Sequence, residues 1–574
     1  MPHAFRYGPL SEGQGRTRFR LWAPSVDRVT LQIEGMQDQV MLRNKEGWFE
    51  AAAECGAGAR YKFRVGDVAV PDPAARMQDW DVHDWSVVTD SSSYEWQHNA
   101  WNGRPWEETV LYELHPGLFG GFTGVQSHLE RLAALGVTAL ELMPIADFPG
   151  EHNWGYDGVV PFAPDRAYGT PDELKALIDT AHGLGLMVFL DVVYNHFGPD
   201  GNYLPLYAPQ FFDESKHTPW GAAIDFRHPD VRRFFIENAI YWLTEFRFDG
   251  LRFDAVHAIC DKTLLPELAR ESRDAVGPAR HVHFVVENDD NDSGLLRSGF
   301  DAQWDDDLHH VLHVLLTGEH RGYYEDYSRD PATKLARCLS EGFGYQGDPS
   351  PCRDGEPRGT STRGLNPTAF VFFLQNHDQI GNRAFGERLT VLTDTETLEA
   401  AVALQLLAPH IPLLFMGEET GAREPFLYFT DHRDPKLAEA VREGRRHEFT
   451  KFPEFADEQK RAQIPDPNAL ETFRRSLPDL RANATSALYT ELLRLRQQHL
   501  FPRLRGVVSE DAQAIGQAAV IAHWRLGDGA WLTIACNLGK DAVSAPFPNA
   551  EPLWGECPGG NLMPSTTVVW IEPL

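Results

Sequence analysis

The sequence predicts an α/β chain organised around a (β/α)8 TIM barrel, with an N-terminal β-sandwich before it and a C-terminal β domain after it. Three observations carry this. The middle of the chain alternates short apolar runs with segments whose apolar residues recur every three or four positions, the signature of strand and helix in turn. Several of those runs end in an acid, which is where a parallel barrel displays its chemistry. Both ends of the chain instead show strand-like alternation without helical periodicity.

Residues 1–90 contain two strands in TRFRLWAPSVDRVTLQIEG, broken by Ala23, Pro24 and Ser25, and two more in GWFEAAAECGAGARYKFRVGD around a Gly-rich turn. A β-sandwich is expected here, resembling a carbohydrate-binding module. The polar stretch TDSSSYEWQHNAWNGRPWEE then links it to a catalytic barrel over residues 91–505. TVLYELH, TALELMP, MVFLDVV, GLRFDAV, VHFVVE, DAQWDD, AFVFFLQ and IPLLFMG are the eight strands in order, DAQWDD being the least apolar. DELKALIDTAHGLG, VRRFFIENAIYWLTEF and TLEAAVALQLLA are amphipathic helices between them, and SALYTELLRLRQQH is the last. Pro, Tyr and Trp are dense in an interval at about 196–245, predicting an irregular insertion beside the site, and a second excursion is expected at about 430–480. AAVIAHWRLG, AWLTIACNLG and TTVVWIEPL place a β domain at 506–574.

Composition narrows the partners. The formal charge of -30 on 574 residues, from 83 acidic and 53 basic side chains, repels nucleic acid and anionic membranes. Fifteen Trp and 34 Phe suit flat, uncharged ligands that bind by stacking, although most aromatics in any chain are core. The six cysteines show no CxxC spacing, so neither a zinc site nor a disulfide framework is expected. MPHAFRYGPL lacks a basic region followed by an apolar stretch, which predicts no signal peptide and a cytoplasmic protein. AVALQLLAPHIPLLFMG is interrupted by Gln405, Pro409, His410 and Pro412 and reads as helix, turn and buried strand rather than a membrane span. A monomer or weak homodimer is expected.

Asp254, Glu287 and Asp378 are the candidate catalytic acids. Hydrolysis of a glycosidic bond needs two facing carboxyls, one to protonate the leaving oxygen and one to attack or stabilise the sugar cation. Arg252 precedes Asp254 by two residues, so on a strand both side chains leave the same face and the guanidinium favours an ionised carboxylate, the reading expected of a nucleophile. A structural salt bridge explains the same pair. Glu287 follows VHFVV, where burial favours the protonated form a general acid needs; the rival reading is a loop acid among Asn288, Asp289, Asp290 and Asp292. Asp378 with His377, and Asp191 with Asn195 and His196, offer hydrogen bonds to a buried sugar ring, or serve structure alone. Tyr156, between Gly155 and Gly158, can present an aromatic face, with Trp154 and Trp220 as further stacking candidates. His309 and His310, beside Asp305, Asp306 and Asp307, are read as strand residues pointing apart and hydrogen-bonding at the barrel rim.

DVVYNH, GLRFDAVH, VVE and QNHD, in this order, resemble the hallmark segments of the α-amylase family of glycoside hydrolases. The resemblance spans most of the chain. It implies Asp254 as nucleophile, Glu287 as acid/base and Asp378 as the third acid, gripping ring hydroxyls, with Arg252, His196, His377, Asp191 and Tyr156 lining the subsite of the attacked glucose. NWGYDG, TPWGAAIDF, DAQWDDDLHH and MGEETGAREPFLYFTDH are similar to the members that release trehalose from a malto-oligosyl trehalose, a neutral α-glucan oligosaccharide. That activity implies a retaining mechanism with the two carboxyls about 5 to 5.5 Å apart. His257 and Trp220 are candidates for the trehalose side. No cofactor is implied. Asn195 matches a position that ligates structural calcium in many amylases, but no carboxyl pattern accompanies it, and no required metal is expected. Glycogen or starch branching and debranching enzymes of the same family are the rival activities. A catalytically inactive amylase-like carbohydrate-binding protein is the reading from another class, and the presence of all three acids speaks against it.

Overall fold

The computed structural model describes residues 4–218 and 221–573. Eight parallel strands close into a barrel in chain order: β1 (Leu111–Leu114), β2 (Ala139–Leu142), β3 (Met187–Val192), β4 (Gly250–Phe253), β5 (His283–Val286), β6 (Ala302–Trp304), β7 (Phe370–Phe373) and β8 (Ile411–Phe415). Each coincides with one of the eight apolar runs, and every residue in them is buried. Helices cover the outer face while the inner face packs on itself, so neither face selects polar residues and the runs read as nearly continuous hydrophobic sequence. β6 has three residues, and its two register pairs with each of β5 and β7 suffice because closure leaves no free edge.

The helical ring includes Gly121–Leu135, Pro171–Gly183, Pro229–Glu245, Leu264–Val276, Asp306–Thr317, Thr395–Leu407 and Ala484–Leu495. Thr170 caps Pro171–Gly183 in a reciprocal box with Glu173, and Pro171 opens it. Ala484–Leu495 packs against both Gly121–Leu135 and Thr395–Leu407 and so closes the ring. His309 and His310 lie on the helix Asp306–Thr317, not on a strand: the three aspartates from 305 form its cap and first turn. The His309 ring bonds the Leu374 carbonyl at 2.7 Å, and His310 sits among Tyr323, Tyr324 and Tyr327. The stretch after β3 is irregular only to residue 228, with a hairpin of Phe212–Thr218 against Gly221–Ile224, because a regular barrel helix starts at Pro229. Residues 430–480 hold the 14-residue helix Pro435–Glu448 followed by short helices and turns.

Two antiparallel sheets near the N-terminus face each other, one built around Arg16–Trp22 and Trp48–Ala53 and the other around Val29–Ile33 and Arg60–Val65. A four-stranded antiparallel sheet from Val508–Ala514 to Thr566–Glu572 packs on the barrel helices Pro331–Glu341 and Thr395–Leu407.

Strand alternation divides the barrel interior into two levels. Leu111, Ala139, Met187, Phe189, Val285, Ala302, Val371, Phe373, Ile411 and Leu413 form one inward apolar cluster. Gly250 belongs to this level because a Cβ there would stand 2.1 Å from the Phe189 ring. Two residues further along, the same inward positions hold Glu113, Glu141, Asp191, Arg252 and Glu287. An apolar plug therefore lies beneath a charged floor.

Candidate active site

Arg252 is the centre of that floor. Its side chain is fully buried, and its guanidinium lies 4.2 Å from the Trp304 ring centroid. Nη1 donates to Asp191 Oδ2 at 2.6 Å and Asp254 Oδ1 at 2.9 Å, and Nη2 to Glu287 Oε2 at 2.7 Å. One planar cation thus holds acids from the ends of β3, β4 and β5 in a fixed arrangement, the geometry a fork of donors imposes.

Asp254 follows β4, and its second oxygen accepts from Asn195 Nδ2 at 2.8 Å. Ala255 next to it has φ +40°, a left-handed conformation that side chains other than glycine rarely adopt. The turn aims the Ala255 N–H at Glu287 Oε2, 3.0 Å away. Burial pushes the Glu287 carboxyl well above the usual range, against the pull of Arg252 and with the help of Asp254 and Asp378. Burial also raises Asp191, to about 6, despite Arg252.

Asp378 lies in the first turn of the short helix His377–Gly381 with its side chain a third exposed. Burial would raise it, but His377 and then Arg252 bring it below its ordinary value. Tyr156 donates to Asp191 Oδ2 at 2.7 Å, meets His377 Nε2 at 2.8 Å and stacks on the His377 ring. Gly155 allows this loop to close: it has φ +104°, and a Cβ would stand 2.1 Å from the Pro144 carbonyl oxygen. His196 bonds the Tyr156 carbonyl at 2.9 Å and the Asn195 side chain. The Asn195 amide is thus shared between His196 and Asp254.

His257 lies half-buried beyond Asp254 and accepts the Asp289 N–H at 3.3 Å, on the rim next to Glu287. Asp289 and Asp290 are engaged by Arg353 and Asp289 also by Arg358, so these loop acids brace the segment after Glu287. Trp154 is buried, donates to the Leu427 carbonyl and stacks on Phe426, supporting Tyr156 and His377 from behind. Trp220 lies outside the described residues. Sequence reasoning passed over Glu113, Glu141 and Trp304. The signal for the two glutamates was an acid inside the apolar runs LYEL and ALEL, where only a barrel interior would tolerate one.

A family profile described as "Alpha amylase, catalytic domain" matches residues 88–217, and one described as a domain of unknown function, DUF3459, matches 509–570. A malto-oligosyltrehalose trehalohydrolase from Deinococcus radiodurans is 40% identical over 503 residues, covering 85% of this chain and 82% of its own. One from Saccharolobus solfataricus is 41% identical, covering 84% and 85%. The chain belongs to the malto-oligosyltrehalose trehalohydrolases. These are glycoside hydrolases of the α-amylase family, and a glucan oligosaccharide substrate follows from membership. A branching enzyme from Nocardia farcinica is 33% identical but matches only 50% of this chain and 43% of its own. Family membership therefore favours the trehalohydrolase reading over the branching one. A crystal structure from Salmonella typhimurium, assigned to the alpha amylases, superposes over 100% of both chains with TM-score 0.94 and 42% identity. A pullulanase from Paenibacillus barengoltzii, at 20% identity and TM-score 0.72, shares the fold. Among the described residues no helix is long and apolar enough to cross a membrane.

Proposed function

We propose that this trehalohydrolase cleaves the α-1,4 bond next to the terminal trehalose unit of a malto-oligosyl trehalose, releasing trehalose and a malto-oligosaccharide with retention of configuration. The observation that carries the chemistry is the division of labour around Arg252. Asp254 accepts hydrogen bonds on both oxygens, from Arg252 and Asn195, which fix its carboxyl for attack. Glu287, pushed up by burial, is suited to hold a proton at neutral pH.

Asp254 attacks the anomeric carbon of the glucose that precedes the trehalose unit. Glu287 gives its proton to the departing oxygen, and a glycosyl ester forms on Asp254 with inversion. Glu287, now a carboxylate, takes a proton from water, which opens the ester with a second inversion. Asp378, Tyr156, His196 and His377 would bind the ring hydroxyls, and Asp378 would help distort the ring. His257 and Trp220 are proposed to face the trehalose side, where the doubly anomeric disaccharide is told from a linear maltose by clashes and unpaired hydrogen bonds.

The names and near-full-length coverage of the trehalohydrolase relatives support the substrate. Incubation with malto-oligosyl trehalose beside maltoheptaose and amylose tests it. Free trehalose from the first substrate, with little cleavage of the others, is expected. Chain transfer without trehalose release would instead indicate a branching enzyme.

A further inference from the structure

His377 is held from below by a residue that no proposed step uses. Glu113 projects inward from β1 and is 1% exposed. One of its oxygens accepts the backbone N–H of His377 at 3.1 Å, and the other is in short contact with Nδ1 of the same residue. Both oxygens thus serve a single histidine, fixing its main chain and its ring together.

The other ring nitrogen settles the proton count. At pH 8, above the value of about 6 to which burial raises it, the Asp191 carboxylate is ionised and can only accept, so the Tyr156 hydroxyl gives its one proton to Asp191 Oδ2 at 2.7 Å. Towards His377 that hydroxyl is then an acceptor, and Nε2, 2.8 Å away, must carry a hydrogen. Asp378 Oδ2, at 3.4 Å from Nε2, asks for the same hydrogen. Nδ1 faces Glu113 and also needs one. We propose that Glu113 is a positioning residue which keeps both nitrogens of His377 protonated, so that the ring meets the attacked sugar as a fixed imidazolium.

Every charged or titratable neighbour is consistent with this. Glu113 and Asp378 flank the ring. Glu141 on β2 is buried beside Glu113, with neither oxygen partnered among the described residues, and burial and then Glu113 push it well above the usual range. Asp191 on β3 is tied to Arg252 on β4. Tyr156 is raised by burial and stays neutral. His115, after β1, is lowered to about 4 by burial and adds no charge. Burial works against a charged His377, yet Asp378 and Glu113 outweigh it and raise it well above its ordinary value. A cation beside Asp378 offsets the cost of keeping that acid charged in a pocket that has lost its water.

The inference rests on the reading of His377 as a substrate contact, and two measurements separate the two. The first is kcat/KM for trehalose release between about pH 5 and 9 in the wild type, Glu113→Gln and Glu113→Asp. Glu113→Gln should lose roughly 10- to 100-fold at pH 8, the scale of a hydrogen bond to a charged group. It should recover relative to the wild type as pH falls through the ordinary histidine range near about 6.5, beyond whatever slope Asp191 at about 6 gives both enzymes, and Glu113→Asp should restore most of the activity. A parallel profile for Glu113→Gln would overturn the proposal. The second is the ring nitrogen NMR signals of His377 in the unaltered enzyme at pH 8. Two N–H groups support the proposal and one overturns it, whether or not trehalose is released and whether or not Glu113→Gln folds. Absence of trehalose release by the wild type would defeat the substrate reading alone.

Discussion

The two levels of the barrel interior are held by different forces, and only the upper one opens towards solvent, at Glu287. At the lower level Phe189, Met187, Val285, Phe373 and Leu413 fill space with apolar surface and need no particular partner. At the upper level, two residues along the same strands, Arg252 must satisfy Asp191, Asp254 and Glu287 at once. Burying those charges is tolerable only while each keeps its counterpart, so the upper level is specific where the lower is permissive. A site able to hold one carboxyl protonated and its neighbour ionised is built from that difference.

The comparison can be broken most sharply at the acids. Asp254→Ala and Glu287→Gln should each lower trehalose release by several orders of magnitude, with circular dichroism and thermal midpoint near wild type. Near-normal turnover in either would remove the assignment. Arg252→Met should abolish turnover and also destabilise the fold by about 3–5 kcal/mol, because three buried carboxyls lose their shared cation; urea unfolding reads the second effect. Phe189→Ala, one level down, should cost a similar 3–5 kcal/mol through the cavity it leaves, while KM and product pattern in the folded fraction stay unchanged. A changed product pattern would show that the levels are not independent.

The smallest effect is a pH slope confined to the upper end. Glu418, just past β8, is pushed up to about 8 by burial. Its folded value lies above its unfolded one, so the folded state binds the extra proton between the two. Stability should therefore decline as pH rises from the ordinary carboxyl range through about 8, by at most a few kcal/mol, and level off above. Glu418→Gln should flatten this slope in denaturant titrations taken at pH 5, 7 and 9, and an unaltered slope would assign it elsewhere.

All eight barrel strands were legible as apolar runs, even the three residues of Ala302–Trp304, because burial on both faces leaves a continuous hydrophobic signature. The helix at Pro229 was legible as VRRFFIENAIYWLTEF, but the insertion expected at about 196–245 overran it, since the Pro and aromatic density before it masked where regular periodicity resumed. His309 and His310 were taken for strand residues because three aspartates resemble a rim, whereas Asp305 is a helix cap. Of the site, Asp254, Glu287, Asp378 and Arg252 were legible from their places at strand ends, and Tyr156 from its flanking glycines. The support from Glu113 and Glu141 was not, although each is an acid set in an apolar run.

By itself the sequence determined the barrel, the two flanking β regions, the order in which acids reach its rim and the net charge of -30. These follow from composition and local periodicity, which the chain carries without being folded. Only the tertiary structure decided that one guanidinium joins Asp191, Asp254 and Glu287, that Tyr156 lies on His377, and that Glu113 holds that histidine from 264 residues away. Proton placement depends on distances between side chains from different strands, and those distances exist only once the barrel has closed.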